Sequence, residues 1–436
     1  MRSTASATLT AACLALRLGA ADPSYFRDVR PVLQRNCQGC HQPNLKSSGL
    51  DLTTYEALTA GGKHGPGLTL IVKYLTGEVK PQMPLGQPPL AAEAIETVRN
   101  WIAAGAKNDT AADTAIDKPI VYTQPPVITA LAFSPDGRSL AVSGNREVLV
   151  HSLDGSAPPR RLAGLSERIL SLAFSSDGKL LVSGGGTPAR FGEIQIWDAA
   201  AGTLRRSVVL TGDTVFGISL SPDASRIAAG CTDNTVRIVE TSTGKEVAKM
   251  GAHENWVLGT VFGADGKRVV SVGRDRAAKL MDASSGAFLE NVNLLRGELA
   301  AVARHPAKEI VVIGGDERVP YIYLMDRPKV MQIADDTTLV RKLDRQNGAI
   351  AALAWSPDGR RIAVAGAAPE INIYDADTGA RVSVCKGHMA GIYTVAFSPD
   401  SGTLAAGGFD GMVRLYDAAT GQVKKEFVPV PMEKTK

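Results

Sequence analysis

The segment from residue 387 to residue 417 decides the fold of most of this chain. It contains Gly387-His388, the turn Ser398-Pro399-Asp400-Ser401, the small apolar run Leu404-Ala405-Ala406-Gly407-Gly408 and the alternating run Val413-Arg414-Leu415-Tyr416-Asp417. Proline at the second position suits a type I turn, and alternation with a period of two places successive side chains on opposite faces of a strand. The segment therefore predicts short strands joined by tight turns.

The same pattern returns along the chain at intervals of about 42 residues. Ser134-Pro135-Asp136-Gly137 and Ser356-Pro357-Asp358-Gly359 repeat the turn, and a fourth, outer strand is expected in each copy, for example at residues 245–250. The residues that end the first strands of the seven copies are Phe133, Phe174, Leu220, Phe262, Arg304 in a degenerate copy, Trp355 and Phe397. Seven such copies predict an all-β, seven-bladed β-propeller over residues 119–436.

These copies resemble WD40 repeats. Gly387-His388 precedes Tyr416-Asp417 by the same number of residues that separates His253 from Met281-Asp282, and Asp410 and Asp275 stand at matching distances after their histidines. In WD40 blades such a histidine and aspartate hydrogen-bond to each other. The resemblance therefore implies that His253 and His388 are structural and that the propeller binds other proteins.

The match to the repeat pattern is uneven. The first copy has His151-Ser152 where a Trp-Asp pair is expected, and residues 327–348 form an insertion that we place between blades five and six. An insertion of this kind is a candidate binding loop or a tolerated extension. Ring closure has two candidate strands, residues 422–430 and residues 119–123.

A different chemistry is indicated near the N-terminus by Cys37-Gln38-Gly39-Cys40-His41. Two cysteines three residues apart with a histidine directly after them have the spacing that attaches haem c covalently, with the imidazole on the iron. A redox-active cysteine pair or half of a zinc site is the competing interpretation, but no second cysteine pair completes a zinc shell. Met83, flanked by Pro81 and Pro84, is the predicted second iron ligand, and His64 is its rival.

The stretch from Tyr25 to Ala106 resembles the cytochrome c modules at the N-termini of some exported bacterial proteins. The resemblance is carried by residues 28–31, the pentapeptide, Gly49-Leu50-Asp51-Leu52, Met83-Pro84 and a last helix with Trp101-Ile102. It implies a small all-α, class I-like cytochrome c domain at residues 22–108. In that domain Cys37, Cys40, His41 and Met83 would bind one covalent haem, with His41 and Met83 as the iron ligands.

The remaining sequence sets the expected compartment. Residues 1–21, with Arg2, an apolar run and Gly19-Ala20-Ala21, are typical of a signal peptide, which predicts a periplasmic or otherwise exported protein. Cys13 is a weak candidate for lipidation. Residues 109–118 are polar and predict a linker, and Cys231 and Cys385 are expected to be buried free thiols.

Composition narrows the function. A net charge of +4 without a clustered basic patch argues against nucleic acid, and no apolar run is long enough for a transmembrane helix. The combined expectation is an exported electron carrier with one haem c, a redox partner protein and a protein ligand on the propeller, rather than an enzyme. The alternatives are a redox enzyme in which haem c relays electrons to a propeller-bound site, and a haem-based sensor.

Overall fold

A computed structural model describes residues 22–38, 40–42, 45–108, 120–325 and 334–433 of the chain. The predicted signal peptide and the predicted linker lie outside the described residues, and so does Gly39 of the pentapeptide. Among the described residues, no helix is long and apolar enough to cross a membrane.

The N-terminal segment contains short helices and a small ribbon. A π-helical turn covers Tyr25–Val29, and the α-helices are α1 Arg30–Asn36, α2 Tyr55–Ala60, α3 Gly67–Thr76 and α4 Ala92–Ala103. Strands β1 His41–Gln42 and β2 Leu45–Lys46 pair antiparallel, and a single 3-10 turn follows at Ser47–Gly49. The expected all-α cytochrome c domain is not supported, because the helices are few and short and the residues directly after Cys40 form a β-ribbon.

Local sequence explains where these helices begin and end. The Thr54 hydroxyl accepts a hydrogen bond from the Ala57 amide and caps α2. Gly77 closes α3 in the left-handed conformation, with φ of 77°. The helices pack around a small core with fully buried Leu33, Leu58 and Trp101.

The rest of the described chain forms seven four-stranded antiparallel blades. The first two blades share one long strand and make a continuous seven-stranded sheet. Its strands are β3 Leu131–Phe133, β4 Ser139–Ser143, β5 Asn145–Ser152, the shared β6 Arg160–Phe174, β7 Leu180–Thr187, β8 Phe191–Asp198 and β9 Leu204–Thr211. The first part of β6 pairs with β5 and its second part pairs with β7, so β6 is both the outer strand of blade one and the inner strand of blade two.

Blades three to seven are separate four-stranded sheets. Blade three has β10 Val215–Leu220, β11 Arg226–Cys231, β12 Val236–Glu240 and β13 Glu246–Met250, and blade four has β14 Val257–Phe262, β15 Arg268–Gly273, β16 Ala278–Asp282 and β17 Phe288–Asn291. Blade five has β18 Leu299–Arg304, β19 Ile310–Gly315, β20 Tyr321–Leu324 and β21 Leu339–Lys342. Blade six has β22 Ile350–Trp355, β23 Arg361–Gly366, β24 Ile371–Asp375 and β25 Arg381–Cys385, and blade seven has β26 Ile392–Phe397, β27 Thr403–Gly408, β28 Val413–Asp417 and β29 Val423–Phe427.

The inserted segment lies inside blade five, not between blades five and six. Strand β21 falls within it and pairs with β20, with Tyr321 opposite Lys342. The insertion therefore lengthens the connection between the third and fourth strands of one blade. The sequence interpretation placed the insertion wrongly because the fourth strand of this copy is short and carries no repeat signature.

The ring closes without exchanging a strand. Strand β29 is the outer strand of blade seven, as predicted for the closure candidate at residues 422–430. Blade one then meets blade seven through hydrogen bonds from the Ile128 amide to the Gly408 carbonyl and from the Leu131 amide to the Thr394 hydroxyl. Of the other candidate, residues 120–123 are described, and among them Tyr122 forms an isolated parallel bridge with Met432.

The helical segment packs against the first two blades. Phe26 joins a buried cluster that includes Trp197 of blade two. Beside it, the Arg30 guanidinium lies 3.4 Å from the buried Glu193 carboxylate and 2.6 Å from the Ser207 hydroxyl. The Arg190 guanidinium donates to the Arg35 carbonyl. An arginine from the helical segment thus ends in the interior of a blade.

Candidate protein-docking face

The two faces of the propeller differ in their loops. One face carries the connections that lead into the inner strands and the turns that join second to third strands, and we call it the connection face. The opposite face carries the Ser-Pro-Asp-Gly turns, where serine hydroxyls donate to aspartate carboxylates, as in Ser134 to Asp136 at 2.6 Å. The connection face is the more varied in sequence and is where the exposed apolar side chains collect.

A β-bulge recurs where the inner strand begins on the connection face. The register shifts there in six of the seven blades, for example between Ile350 and Ala352 against β23. A side chain on Gly366 would place its Cβ 1.9 Å from the Ala349 carbonyl oxygen, so the close approach at this bulge requires glycine. Gly185, Gly315 and Gly408 make equally close approaches in blades two, five and seven.

The bulges aim one side chain per blade at the central cavity. These six residues, which we call the mouth residues, are Leu170, Phe216, Leu258, Ala300, Ala351 and Tyr393. All six line a cavity of about 250 Å³ on the propeller axis. Their sizes are unequal, since blades five and six contribute only alanine. The mouth is therefore narrow on one side and open above blades five and six.

A histidine and an aspartate fix the connection into blade four. His253 Nδ1 lies 2.9 Å from Asp275 Oδ2, and His253 Nε2 lies 2.7 Å from the Ser271 hydroxyl. The same carboxylate accepts the Glu254 amide at 3.1 Å. Burial raises the pKa of Asp275, but the hydrogen bond and charge of His253, together with the amides of Glu254 and Ala277, outweigh burial and hold the pKa below its ordinary value. The predicted structural role of His253 is confirmed.

Blade seven repeats the arrangement with an added arginine. His388 Nδ1 lies 3.1 Å from Asp410 Oδ2, which also accepts from the Arg414 guanidinium at 2.7 Å. The Met389 and Met412 amides donate to the same carboxylate. Burial lowers the pKa of His388 although Asp410 acts in the other direction, so the imidazole is held neutral. The predicted role of His388 is confirmed, and Met389 is presented from a fixed loop.

Exposed apolar side chains are concentrated on this face. They are Val127, Trp256, Leu294, Leu295, Met389, Tyr393 and Phe409. Met389 and Phe409 are the most open, at 87% and 61% exposed. Exposed apolar groups gathered on one face of a folded protein are typical of an interaction site.

Trp256 forms the best defined part of this surface. Its ring stacks on that of Phe216 with centroids 5.7 Å apart. The Arg274 guanidinium lies 4.4 Å from the centre of the Trp256 ring and 3.9 Å from the Glu298 carboxylate. The stack holds a large aromatic side chain in place while leaving it 36% exposed, an arrangement that lowers the entropy cost of binding.

The residues predicted to bind a cofactor lie in the helical segment, outside the propeller. Cys37 ends α1 and Met83 packs against the same small core, whereas Cys40 is exposed and His41 is buried. Burial, with Cys40 nearby, raises the pKa of the Cys37 thiol to about 12, and burial lowers the pKa of His41. Both groups are therefore neutral near pH 7. No contact among the described residues tests the ligand role predicted for these four.

The remaining three histidines and the two cysteines of the propeller have structural surroundings. His64 lies 6.4 Å from the Tyr74 ring, His151 packs on Phe427, and His305 Nδ1 accepts from the amides of Ala307 and Lys308. Cys231 and Cys385 are fully buried free thiols, as expected. Burial raises the pKa of each to about 12.

Comparison with protein-family models identifies the repeats. Residues 120–154, 158–187, 204–240 and 379–417 match the model described as "WD domain, G-beta repeat", and residues 305–395 match that described as "Anaphase-promoting complex subunit 4 WD40 domain". The propeller is thus built from WD40 repeats, which confirms that part of the sequence prediction. Blade four, outside these matches, has the same strand order and the same histidine–aspartate pair.

Three curated relatives have sequences similar to part of this chain. The transcription factor unc-37 of Caenorhabditis elegans is 28% identical over 205 residues, which are 45% of this chain and 31% of that protein. The protein tipD of Dictyostelium discoideum is 24% identical over 292 residues, 57% of this chain and 47% of that protein. Autophagy-related protein 16 of Arabidopsis thaliana is 23% identical over 244 residues, 55% of this chain and 45% of that protein. The chain spans about a third to a half of the length of these relatives.

These findings contradict the prediction of a c-type cytochrome. The matched relatives are WD-repeat proteins, and the matched family models cover the propeller and not residues 22–108. The part of the chain that the structure describes contains no group of three or more His, Cys, Asp or Glu side chains that could hold a metal ion. The predictions of one covalent haem c, of iron binding and of electron transfer are therefore wrong. The redox partners, the haem-relay enzyme and the haem-based sensor lose their support with them.

The mouth residues escaped the sequence interpretation. Each follows the first buried residue of an inner strand, as Phe216 follows Val215 and Tyr393 follows Ile392. At four of the six positions, two adjacent large apolar residues in a strand that otherwise alternates were the available signal, because strict alternation would bury only one of them. Ala300 and Ala351 gave no such signal.

Proposed function

We propose that this chain is a protein-docking scaffold that holds a partner protein on the connection face of its WD40 propeller. The observation that carries the proposal is the set of exposed apolar side chains on loops held in place by the buried histidine–aspartate pairs. Exposed Met389 and Phe409 are the sequence neighbours of His388 and Asp410, so these two apolar groups are attached to a loop and a turn that the pair joins. A fixed apolar surface loses little entropy on binding.

Relatives support a binding role. Two of the relatives described above are, by their printed names, a transcription factor and an autophagy-related protein. The presence of a WD40 propeller also favours a function in protein–protein interaction. A catalytic role has no comparable support from the described residues, where the buried histidines serve as structural hydrogen-bond partners.

The experiment compares two triple variants of the full chain. In the face variant Trp256, Met389 and Phe409 are each replaced by Glu. In the control variant Val247, Val340 and Val382, exposed on outer strands of the blades, are replaced by Glu. Both are immobilised and exposed to native extract, and bound proteins are quantified by mass spectrometry. We expect proteins that the wild type and the control retain to be lost from the face variant. Equal retention by both variants would refute the proposal.

We also propose that the chain acts outside the cytoplasm. Support comes from Arg2, the apolar run and the small residues Gly19-Ala20-Ala21 in residues 1–21. Expression in a bacterium that carries out secretion, followed by fractionation and N-terminal sequencing, tests this. A periplasmic product beginning near residue 22 supports export, and a cytoplasmic product with an intact N-terminus contradicts it.

A further inference from the structure

We propose that Asn347 is a chemical modification site, at which the side-chain amide is lost by deamidation and the resulting carboxylate opens a contact between two loops of blade six. The first loop, which we call the entry loop, covers residues 343–349 and leads into β22. The second, which we call the hairpin turn, covers residues 367–370 and joins β23 to β24. The inference goes beyond the docking function and does not depend on it.

Blade six has a glutamine and an alanine where blade four has its histidine–aspartate pair. Gln346 stands before β22 as His253 stands before β14, and Ala368 follows β23 as Asp275 follows β15. The Gln346 side chain bonds to the neighbouring strand, because its amide donates to the Tyr374 hydroxyl at 2.9 Å. A different side chain therefore has to join the entry loop to the hairpin turn.

Asn347 makes this connection. Its Nδ2 donates to Glu370 Oε1 at 2.6 Å, from the entry loop to the hairpin turn. Beside the strands, the Ala367 amide donates to the Ala349 carbonyl at 2.8 Å and holds the same two loops together. Asn347 is exposed and Glu370 is half-buried, so water reaches the asparagine side chain.

Glycine follows Asn347 because no side chain fits at that position. A Cβ on Gly348 would lie 2.7 Å from the Ala368 amide nitrogen and 3.0 Å from the Ala367 Cβ. Within the residues that the structure describes, the Gly348 amide donates no hydrogen bond. It also has no side chain to shield it, so its nitrogen is available to attack Asn347 Cγ. The sequence contains no other Asn-Gly pair.

The reaction consumes one water molecule and needs no other co-reactant. The Gly348 nitrogen loses its proton to solvent and forms a bond to Asn347 Cγ. The bond from Cγ to Nδ2 breaks, and the nitrogen takes up a proton and leaves as ammonia, so that a succinimide ring remains. Water then adds to one of the two ring carbonyls and opens the ring to aspartate or isoaspartate. An amide and water thus become a carboxylic acid and ammonia, and no electrons are transferred.

The product does not fit the contact that Asn347 makes. A carboxylate at this position faces Glu370, so a donor and an acceptor are replaced by two like charges at hydrogen-bonding distance. An isoaspartate also adds one atom to the backbone beside Gly348, where the entry loop already packs closely on Ala367 and Ala368. Both products should therefore separate the entry loop from the hairpin turn.

Peptide mapping tests the chemistry. The purified full chain is incubated in a mildly alkaline buffer and digested, and mass spectrometry with electron-transfer fragmentation quantifies aspartate and isoaspartate at each asparagine. Asn145 and Asn255 are internal controls, because both are exposed but are followed by arginine and tryptophan. We expect Asn347 to be modified at least tenfold faster than either control. Modification at Asn347 no faster than at Asn145 would overturn the inference.

A variant checks that the ring closes through this side chain. Asn347→Gln keeps an amide donor near Glu370, but its longer side chain would have to close a less favourable six-membered ring. We expect deamidation at this position to slow at least tenfold in Asn347→Gln. An unchanged rate would overturn the proposed route.

Hydrogen exchange tests the structural consequence. Asn347→Asp represents the product, and Asn145→Asp, on the same face, is the matched control. We expect amides of the entry loop and the hairpin turn to exchange at least tenfold faster in Asn347→Asp than in the wild type or the control. Combining Asn347→Asp with Glu370→Gln restores one amide and one carboxylate, so exchange should return toward the wild-type rate. Wild-type exchange in Asn347→Asp, or no recovery in the double variant, would contradict the proposed opening. The capture experiment leaves Asn347 and Glu370 intact, so the docking function is judged separately.

Discussion

His253 and Asp275 are 22 residues apart in the chain, and Nδ1 of the histidine lies 2.9 Å from Oδ2 of the aspartate. The carboxylate also accepts the amides of Glu254 and Ala277, one on each of the two loops that the pair joins. One buried carboxylate thus connects the loop entering blade four to the turn between its second and third strands. Trp256 is carried by the first of these loops, so the pair positions part of the docking face.

Replacing this aspartate should destabilise the propeller measurably. Asp275→Ala leaves the His253 ring nitrogen and two amides without their acceptor inside the blade, and an unsatisfied buried group costs about 1–3 kcal/mol. We expect the free energy of unfolding to fall by about 2–3 kcal/mol on that basis, measured by urea denaturation followed by circular dichroism.

Asp377→Ala is the matched control. Asp377 is exposed at a turn on the opposite face, and surface substitutions of this kind change stability by less than about 0.5 kcal/mol. A loss for Asp275→Ala no larger than that of the control would mean that the pair is not a structural connection.

Sequence predicted the repeating part of the fold well because its signals are local. The seven residues chosen to mark the ends of first strands, from Phe133 to Phe397, each end an inner strand. In five of the seven blades the turn that follows is set by a serine and an aspartate two residues apart, as in Ser356 and Asp358 at 2.6 Å. Such turn chemistry can be read from four residues.

Features that depend on distant partners were not predicted. The continuous strand β6 replaces a loop between blades one and two, and only its pairing with both β5 and β7 reveals this. The mouth residues depend on how closely two backbones approach at a bulge. The histidine–aspartate pairs of the site were accessible because the repeat pattern encodes them, whereas the uneven ring of side chains around the cavity was not.

Two tryptophans of the propeller differ in burial, one in the core and one on the docking face. Trp197 is 1% exposed and donates to the Ser183 hydroxyl at 3.3 Å, whereas Trp256 is 36% exposed. Trp197→Ala leaves a cavity between blades one and two, and such truncations cost about 3–5 kcal/mol. Trp256→Ala should cost less than about 1 kcal/mol, since surface substitutions away from core packing are mild. Urea denaturation of both variants measures the two losses in the free energy of unfolding. Similar losses for Trp197→Ala and Trp256→Ala would contradict the assignment of Trp197 to the core and Trp256 to the exposed face.

The buried histidines predict that acid weakens the fold. Burial lowers the pKa of His388, and it does the same for His151 and His305. A histidine whose pKa is lower in the folded chain than in the unfolded chain favours folding while it is neutral. Its contribution is lost as the pH falls below the ordinary histidine pKa of about 6.5.

We therefore expect the melting temperature to fall steadily between pH 7 and pH 5. His388→Gln should start from a lower melting temperature but lose less over this interval, because one titrating group is gone; each such group contributes at most about 1.4 kcal/mol per pH unit. His64→Gln, which alters a histidine of the helical segment outside the propeller, is the control. Scanning calorimetry at several pH values checks this, and an unchanged pH dependence in His388→Gln would disprove the assignment.

Arg30 and Glu193 join the helical segment to the propeller. The motif around Arg30 suggested a cofactor module, but the structure gives this side chain a partner 163 residues away. Glu193 is fully buried and also accepts from Ser166 and Gln195, each at 2.7 Å. Hydrogen bonds within blade two therefore hold the Glu193 carboxylate in position to pair with one cation.

Arg30→Met should loosen this attachment strongly. Removing one partner of a buried ion pair leaves an uncompensated charge and costs about 3–5 kcal/mol. Glu193→Gln alone should also destabilise, but the double variant Arg30→Met with Glu193→Gln should be more stable than the sum of the two single effects predicts, because no lone charge is left. Arg99→Met is the control, since Arg99 pairs with Glu96 on an exposed helix surface. Urea denaturation of the wild type, the two single variants and the double variant measures the four free energies of unfolding that the double-mutant cycle needs. Hydrogen exchange over residues 22–108 shows whether the helical segment has been released. Strict additivity in the cycle, together with unchanged exchange in Arg30→Met, would show that this pair does not hold the segment on the propeller.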